Sequence, residues 1–147
     1  MKRIVIALMA LIATSVAFGQ NTIADLAGKL DSHKITLNYS CTVKFDVPMK
    51  STGTVTVQQN SYKLSTAGVD IYCDGESRWT VDPSAKEVYI ENATGVKEFL
   101  SDPQRYLDCL SDVELSNVVI APLESGNSTF CFNEKALDSS WVVTDLR

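Results

Sequence analysis

A long run of alternating apolar and polar residues begins at Ile35 and constrains the fold more than any other feature of the sequence. Because successive side chains of a β-strand point to opposite faces of a sheet, this period of two predicts one long strand with a single dry face. Pro48 is expected to end the strand, since proline donates no backbone hydrogen bond. The apolar members of the run are Ile35, Leu37, Tyr39, Cys41, Val43, Phe45 and Val47.

Shorter alternating runs follow at close intervals and predict further strands. Two strands are expected at residues 52–59 and 62–66, and the next pair flanks the hairpin signal Asp74-Gly75. Short connections favour antiparallel neighbours. Farther along, three more strands are predicted at residues 113–120, 128–132 and 141–146. The inward side chains are expected to be Val55, Val57, Tyr62, Leu64, Val69, Ile71, Cys73, Trp79, Val81, Val88 and Ile90.

Two segments carry helix signals instead. Residues 22–25 have the spacing of a capping box, and Asp102-Pro103 has the composition of an N-cap followed by a first helical residue. Tyr106, Leu107 and Leu110 would form the apolar stripe of this second helix. The expected fold class is therefore α+β but mostly β. It is a single curved antiparallel sheet of about eight strands, an open half-barrel, with two or three short helices on its concave side.

The first nineteen residues have the layout of an export signal. Met1-Lys2-Arg3 gives a basic start, residues 4–16 are uncharged, and Ala17-Phe18-Gly19 places small residues before Gln20. We therefore expect cleavage after Gly19 and a soluble periplasmic protein. Residues 20–147 are expected to form one domain, because no linker or internal repeat divides them.

Export changes the interpretation of the four cysteines, which are Cys41, Cys73, Cys109 and Cys131. An even number of cysteines outside the reducing cytosol favours disulfides, and the sequence leaves all three pairings open. Four buried thiols are the alternative. The sequence has no Cys-x-x-Cys pair, and its single histidine is His33. Neither a metal site nor a cofactor is therefore expected.

Composition also argues against two broad functions. The formal net charge is −5, which disfavours nucleic acid as a partner. The sequence shows neither a suitable pair of carboxylates nor a serine with an evident activating base, so no catalytic residue and no enzyme activity are expected.

Several short motifs, in order, resemble the LolA-like periplasmic lipoprotein carriers, in particular short and divergent members of that family. The motifs are Tyr62-Lys63-Leu64, Asp74-Gly75-Glu76-Ser77-Arg78-Trp79, Asp82-Pro83, Glu87-Val88-Tyr89-Ile90, Asp102-Pro103-Gln104-Arg105-Tyr106 and the closing run from Val142 to Arg147. They span most of residues 20–147. One departure is that residues 54–65 lack the arginine that bonds the lid shut in the better-known carriers.

The resemblance implies a periplasmic carrier that binds acyl chains of lipoproteins or lipids for transfer toward the outer membrane. The partners it implies are lipidated protein or lipid, with membrane-bound donor and acceptor proteins. The implied lining of the concave face is Tyr39, Val43, Val55, Val57, Leu64, Ile71 and Ile90, with Tyr106, Leu107 and Leu110 closing over it as a lid. A bond from Cys109 to a strand cysteine would pin that lid.

Two alternatives stay open at this point. The same apolar side chains could pack against the helices and leave no cavity. The half-barrel could also serve as a non-enzymatic protein-interaction or sensing module, acting through an exposed edge strand or patch.

Overall fold

The computed structural model of the protein describes residue 26 and residues 28–93, 109–126 and 128–147. The predicted export signal, the capping box and most of the second predicted helix, with Tyr106 and Leu107, lie outside these described residues.

Within the described ranges, no helix has the length and apolar character needed to cross a membrane.

The described residues form eight β-strands in one open sheet, whose spatial order is β7-β1-β2-β3-β4-β5-β6-β8. The strands are β1 (His33–Val43), β2 (Met49–Gln58), β3 (Ser61–Thr66), β4 (Val69–Cys73), β5 (Ser77–Asp82), β6 (Glu87–Asn92), β7 (Leu110–Pro122) and β8 (Val142–Asp145). Strands β1 to β6 form the antiparallel meander that the sequence predicts. β7 and β8 therefore occupy the two edges.

The predicted fold class is wrong in two respects. The sheet is mixed, because β8 runs parallel to β6. The two or three predicted helices are also not seen. Over the described ranges, helical residues occur only at 26, 28 and 29, before β1, and in a short 3₁₀ turn at Glu134–Ala136, and no helix reaches seven residues. Leu110, predicted to be helical, is the first residue of β7 and pairs with Val43. Long-range pairing along β1 thus overrides the local helix signal at this position.

The predicted strand at residues 128–132 is also wrong. These residues form turns and irregular structure within the connection from β7 to β8. Because β7 and β8 lie at opposite edges, this connection has to pass across the sheet. This connection is long enough for β8 to pair parallel with β6, because parallel neighbours need a long crossover.

One face of β1 to β4, which we call the inner face, carries the larger apolar cluster. Register places Ile35 opposite Val57, Val57 opposite Tyr62, and Tyr62 opposite Cys73, so one apolar row crosses four strands. The buried members of the cluster are Leu26, Leu30, Ile35, Leu37, Tyr39, Cys41, Val43, Val55, Val57, Tyr62, Leu64, Ile71, Cys73 and Leu110. Alternation within β1 predicts this face correctly.

The opposite, outer face carries the second cluster, on β5 and β6. Cys73 pairs with Arg78 across the loop of residues 74–76, so Arg78 shares the inner face with Cys73 and Trp79 points outward. The buried members are Trp79, Val81, Val88 and Ile90, packed against Tyr72, Cys131, Phe132, Leu137 and Trp141. The prediction that all these strand residues face inward is wrong, because the loop length sets a register in which apolar alternation changes phase.

The long connection is attached to the sheet at three places. The side chain of Gln58 donates to the Glu124 carbonyl at 3.1 Å and accepts from the Glu124 N–H at 2.9 Å. The Cys131 thiol lies 3.7 Å from an Asp74 carboxylate oxygen. The Phe132 ring packs on Tyr72 with centroids 5.5 Å apart. The connection therefore passes the β2–β3 and β4–β5 turns before it covers the outer cluster.

A matched pair of substitutions tests the outer cluster. Val88 and Val143 are cross-strand neighbours in the parallel ladder, but Val88 is fully buried and Val143 is 43% exposed. We expect Val88→Ala to lower the free energy of unfolding by about 2 kcal/mol and Val143→Ala to change it by less than about 0.5 kcal/mol. Chemical denaturation measures both. Equal losses would contradict the assignment of Val88 to a covered core.

Candidate functional site

A cavity of about 230 Å³ opens on the inner face where β1 ends and β2 begins. Pairing of Val43 with Met49 forms one wall, and the β3–β4 turn, where Thr66 pairs with Val69, forms another. The lining residues are Val43, Phe45, Met49, Lys50, Ser51, Thr52, Thr66, Ala67, Val69, Ile71 and Thr80. Five of these side chains are large and apolar, so the cavity suits an apolar ligand.

Hydroxyl groups at the base of the cavity bond to one another. The Tyr39 hydroxyl lies 3.4 Å from Ser51 Oγ, and Ser51 Oγ lies 3.5 Å from Thr66 Oγ1. Thr66 Oγ1 in turn donates to the Thr52 carbonyl at 2.9 Å. Burial raises the pKa of Tyr39, so its hydroxyl stays protonated at neutral pH. These contacts satisfy polar groups beside the apolar walls.

Gly53 makes room for the Tyr39 ring. A Cβ atom at Gly53 would lie 2.3 Å from the Ser65 carbonyl oxygen and 2.9 Å from the Tyr39 hydroxyl. Glycine is therefore required here by close approach of two strands and a ring, and Tyr39 can lie across β2 toward Ser51.

The structure places the predicted lining residues in three different settings. Val43 and Ile71 line the cavity, and Tyr39 supports it through Ser51. Ile90 lies on the outer face, so it does not join them. Tyr106 and Leu107 are outside the described residues. The remaining predicted residues belong to the inner cluster but do not line the cavity; they are Val55, Val57, Leu64 and Leu110.

Sequence reasoning predicted only Val43 and Ile71 of the eleven lining residues and missed nine, among them Met49, Lys50 and Val69. Met49 and Lys50 follow Pro48, where the sequence indicated a break, but β2 begins three residues earlier than predicted. Val69 was recognised as inward but not as part of a site. Residue pattern alone carries no signal of where an apolar face leaves such a space.

The four cysteines form no disulfide bond in the structure. Cys41 and Cys73 share the inner face, but they lie three strands apart and six residues apart along the strand direction. That is about 14 Å in one direction and about 20 Å in the other, beyond the roughly 7 Å reach of a disulfide. Cys109 precedes β7, where its carbonyl accepts from the Lys44 N–H at 2.8 Å. Cys131 lies beside Asp74 in the outer cluster.

A buried ion pair interrupts the inner face beyond Cys73. Arg78 on β5 bonds Glu91 on β6 at 2.5 Å, and the side chain of Arg78 is only 6% exposed. Although Arg78 lies close to the β4–β5 turn, it is therefore not a solvated turn charge. Its position opposite Cys73 places a charge at the point where the apolar row ends.

Burial governs the titration of the groups beside this ion pair. It raises the pKa of Tyr62 and of the Cys73 thiol, and the Arg78 guanidinium opposes both shifts. Cys41, at the other end of the inner face, also has its pKa raised by burial. Thiols held protonated in this way are weak nucleophiles, so these two cysteines pack as apolar side chains.

Over the part of the chain that the structure describes, no three histidine, cysteine, aspartate or glutamate side chains gather as ligands for a metal ion.

Comparison of the sequence with protein-family models and with curated proteins gives no match in either case. The resemblance to LolA-like carriers therefore remains a prediction that rests on the motifs in the sequence.

The Arg78–Glu91 pair gives a testable expectation for stability. Arg78→Ala leaves the Glu91 carboxylate without its partner in a poorly solvated place, and we expect a loss of about 3 kcal/mol in unfolding free energy. Arg147→Ala is the control, because the Arg147–Asp145 pair is largely exposed and should contribute little. Urea denaturation at neutral pH compares them. An unchanged midpoint for Arg78→Ala would show that the pair does not stabilise the sheet.

Proposed function

We propose that the protein is a non-enzymatic carrier that holds one acyl chain of a lipid or lipidated protein in the inner-face cavity. The observation that supports this most is that five large apolar side chains line the inner-face cavity. They are Val43, Phe45, Met49, Val69 and Ile71. Carriage toward the outer membrane follows only from the resemblance to LolA-like proteins.

The size of the cavity limits the cargo. A volume of about 230 Å³ lies below the roughly 300–1,000 Å³ typical of sites that enclose drug-sized ligands. The cavity therefore suits part of one acyl chain better than several chains together. Each buried methylene contributes about 0.8 kcal/mol, so a few methylenes give weak and reversible binding, as release of cargo requires.

The cavity lining offers little charge for a headgroup. Lys50 contributes to the lining, but it pairs with Thr42 across β1 and β2, so its side chain points to the outer face, where it also lines a second cavity with Asp112 and Glu114. The hydroxyls of Ser51 and Thr66 are polar groups on the cavity side. We therefore expect the alkyl chain, and not the headgroup, to contribute most of the binding free energy.

Filling the cavity should block binding without adding a charge. Val69 lines the cavity and is only partly buried, so Val69→Phe can direct a larger side chain into that space. We expect at least about a tenfold loss of affinity for a fluorescent fatty acid, because several methylene contacts are displaced. Val142→Phe, on the exposed edge strand β8, is the matched control. The proposal fails if the folded wild-type protein binds no acyl probe, or if Val69→Phe binds it normally.

A comparison of laurate with methyl laurate tests this expectation. The two ligands share one alkyl chain and differ in charge, so the wild-type protein should bind them with similar affinity, and Lys50→Ala should change neither affinity by more than about twofold. Displacement of a fluorescent fatty acid measures both. A clear preference for laurate that Lys50→Ala removes would show that the Lys50 ammonium group recognises the headgroup.

A further inference from the structure

The hairpin between β1 and β2 ends in an exposed apolar tip. Residues 44–48 join the two strands, and Val47 among them is 73% exposed, the largest exposure of any large apolar side chain in the described ranges. Met49, the first residue of β2, is 54% exposed, and Pro48 between them is exposed as well. Three neighbouring apolar residues therefore face water, and contiguous apolar surface of this kind marks an interaction site.

The apolar tip is continuous with the inner-face cavity. Met49 belongs to the tip and also lines the cavity. Phe45, at the other side of the loop, packs on the inner cluster and lines the cavity too. The β3–β4 turn lies at the same end of the sheet, and its exposed Ala67 is a further lining residue. These side chains give an acyl chain an apolar path from the cavity to the tip.

Charge distinguishes this end of the sheet from the other. Lys44 and Lys50 flank the tip and are exposed, and Asp46 is the only acidic residue between them. Two positive charges against one negative give this segment a formal charge of +1, whereas the whole chain carries −5. The β4–β5 turn at the opposite end carries Asp74 and Glu76. An anionic surface therefore attracts the tip and repels the far end.

We propose that the β1–β2 tip inserts into the surface of a bilayer that contains anionic phospholipid, and that an acyl chain passes there between bilayer and cavity. The proposal rests on the proposed carrier function, because it concerns how cargo reaches the same cavity. Val47, Pro48 and Met49 enter the boundary between headgroups and acyl chains, and the ammonium groups of Lys44 and Lys50 contact lipid phosphates. The negative charge on the rest of the chain confines contact to the tip.

Vesicle flotation tests the membrane contact with two matched variants. Wild-type protein should bind vesicles of phosphatidylcholine and phosphatidylglycerol, and Val47→Asp should lower the partition coefficient at least about tenfold, because a carboxylate replaces an inserted apolar side chain. Leu146→Asp is the control, since Leu146 is 60% exposed but follows the end of β8 that lies away from the tip. Circular dichroism confirms that each variant is folded.

Three results of this comparison would overturn the proposal. One is a folded wild-type protein that does not bind the vesicles, and another is a Val47→Asp variant that binds them normally. The third comes from sedimentation velocity without lipid. A dimer that Val47→Asp dissociates would assign the tip to a second copy of the chain.

The lipid headgroup is tested by reversing one charge beside the tip. Lys44→Glu should lower binding to vesicles that contain phosphatidylglycerol at least about fivefold, and it should change binding to phosphatidylcholine alone much less. Lys29→Glu is the control, because Lys29 is exposed and precedes the opposite end of β1. Equal losses with Lys29→Glu, or equal losses on both kinds of vesicle, would contradict recognition of anionic lipid by the tip.

Transfer kinetics separate this proposal from the carrier function. The rate at which a fluorescent fatty acid moves from wild-type protein to vesicles should rise with vesicle concentration, since transfer occurs on contact. Val47→Asp should slow transfer but keep its affinity for the probe in solution, because Val47 does not line the cavity. A wild-type rate independent of vesicle concentration overturns transfer at the tip and leaves the carrier function standing. A wild-type protein that binds no probe in solution overturns the carrier function and the passage of cargo together.

Discussion

The register across the loop of residues 74–76 determines where this sheet buries its apolar side chains. Because Cys73 pairs with Arg78, the odd-numbered apolar residues of β4 and those of β5 lie on opposite faces. The inner face therefore ends in the Arg78–Glu91 ion pair, and a second core has to form on the outer face. A loop longer or shorter by one residue would align the two sets and remove the need for a second cover.

That second core explains why the connection from β7 to β8 packs on the outer face. Trp79, Val81, Val88 and Ile90 would be exposed on the outer face without Phe132, Leu137 and Trp141 over them. The connection from β7 reaches this face past the β2–β3 turn, where Gln58 bonds the Glu124 backbone, and it ends in β8 beside β6. Because the same connection that covers β5 and β6 ends in β8 beside β6, the sheet is mixed.

The candidate site and the residues that precede β1 lie toward opposite ends of β2. Leu26 and Leu30 pack on the inner cluster, and the Leu30 carbonyl accepts from the Gln59 N–H at 2.6 Å, which places them near the end of β2. The cavity lies toward the beginning of β2, beside Met49 and Ser51. The packed interpretation of the apolar face therefore holds around Val57, and the cavity interpretation holds around Val43 and Ile71.

The sequence by itself indicated all eight strands, together with one at residues 128–132 that does not form. It also determined the face that β1 buries, because alternation from Ile35 to Val43 is a local property of the chain. It also indicated the meander, since short connections leave neighbouring strands few other arrangements. It placed Val43 and Ile71 on the face that bears the cavity. Only the tertiary structure decided four other features. The apolar side chains of β5 face the outer side of the sheet, Arg78 is buried, β8 pairs parallel with β6, and Leu110 lies in a strand and not in a helix. Each depends on which residue lies opposite which across strands, and that register is set by loop geometry and by competition among distant partners, which hydrophobic periodicity does not encode.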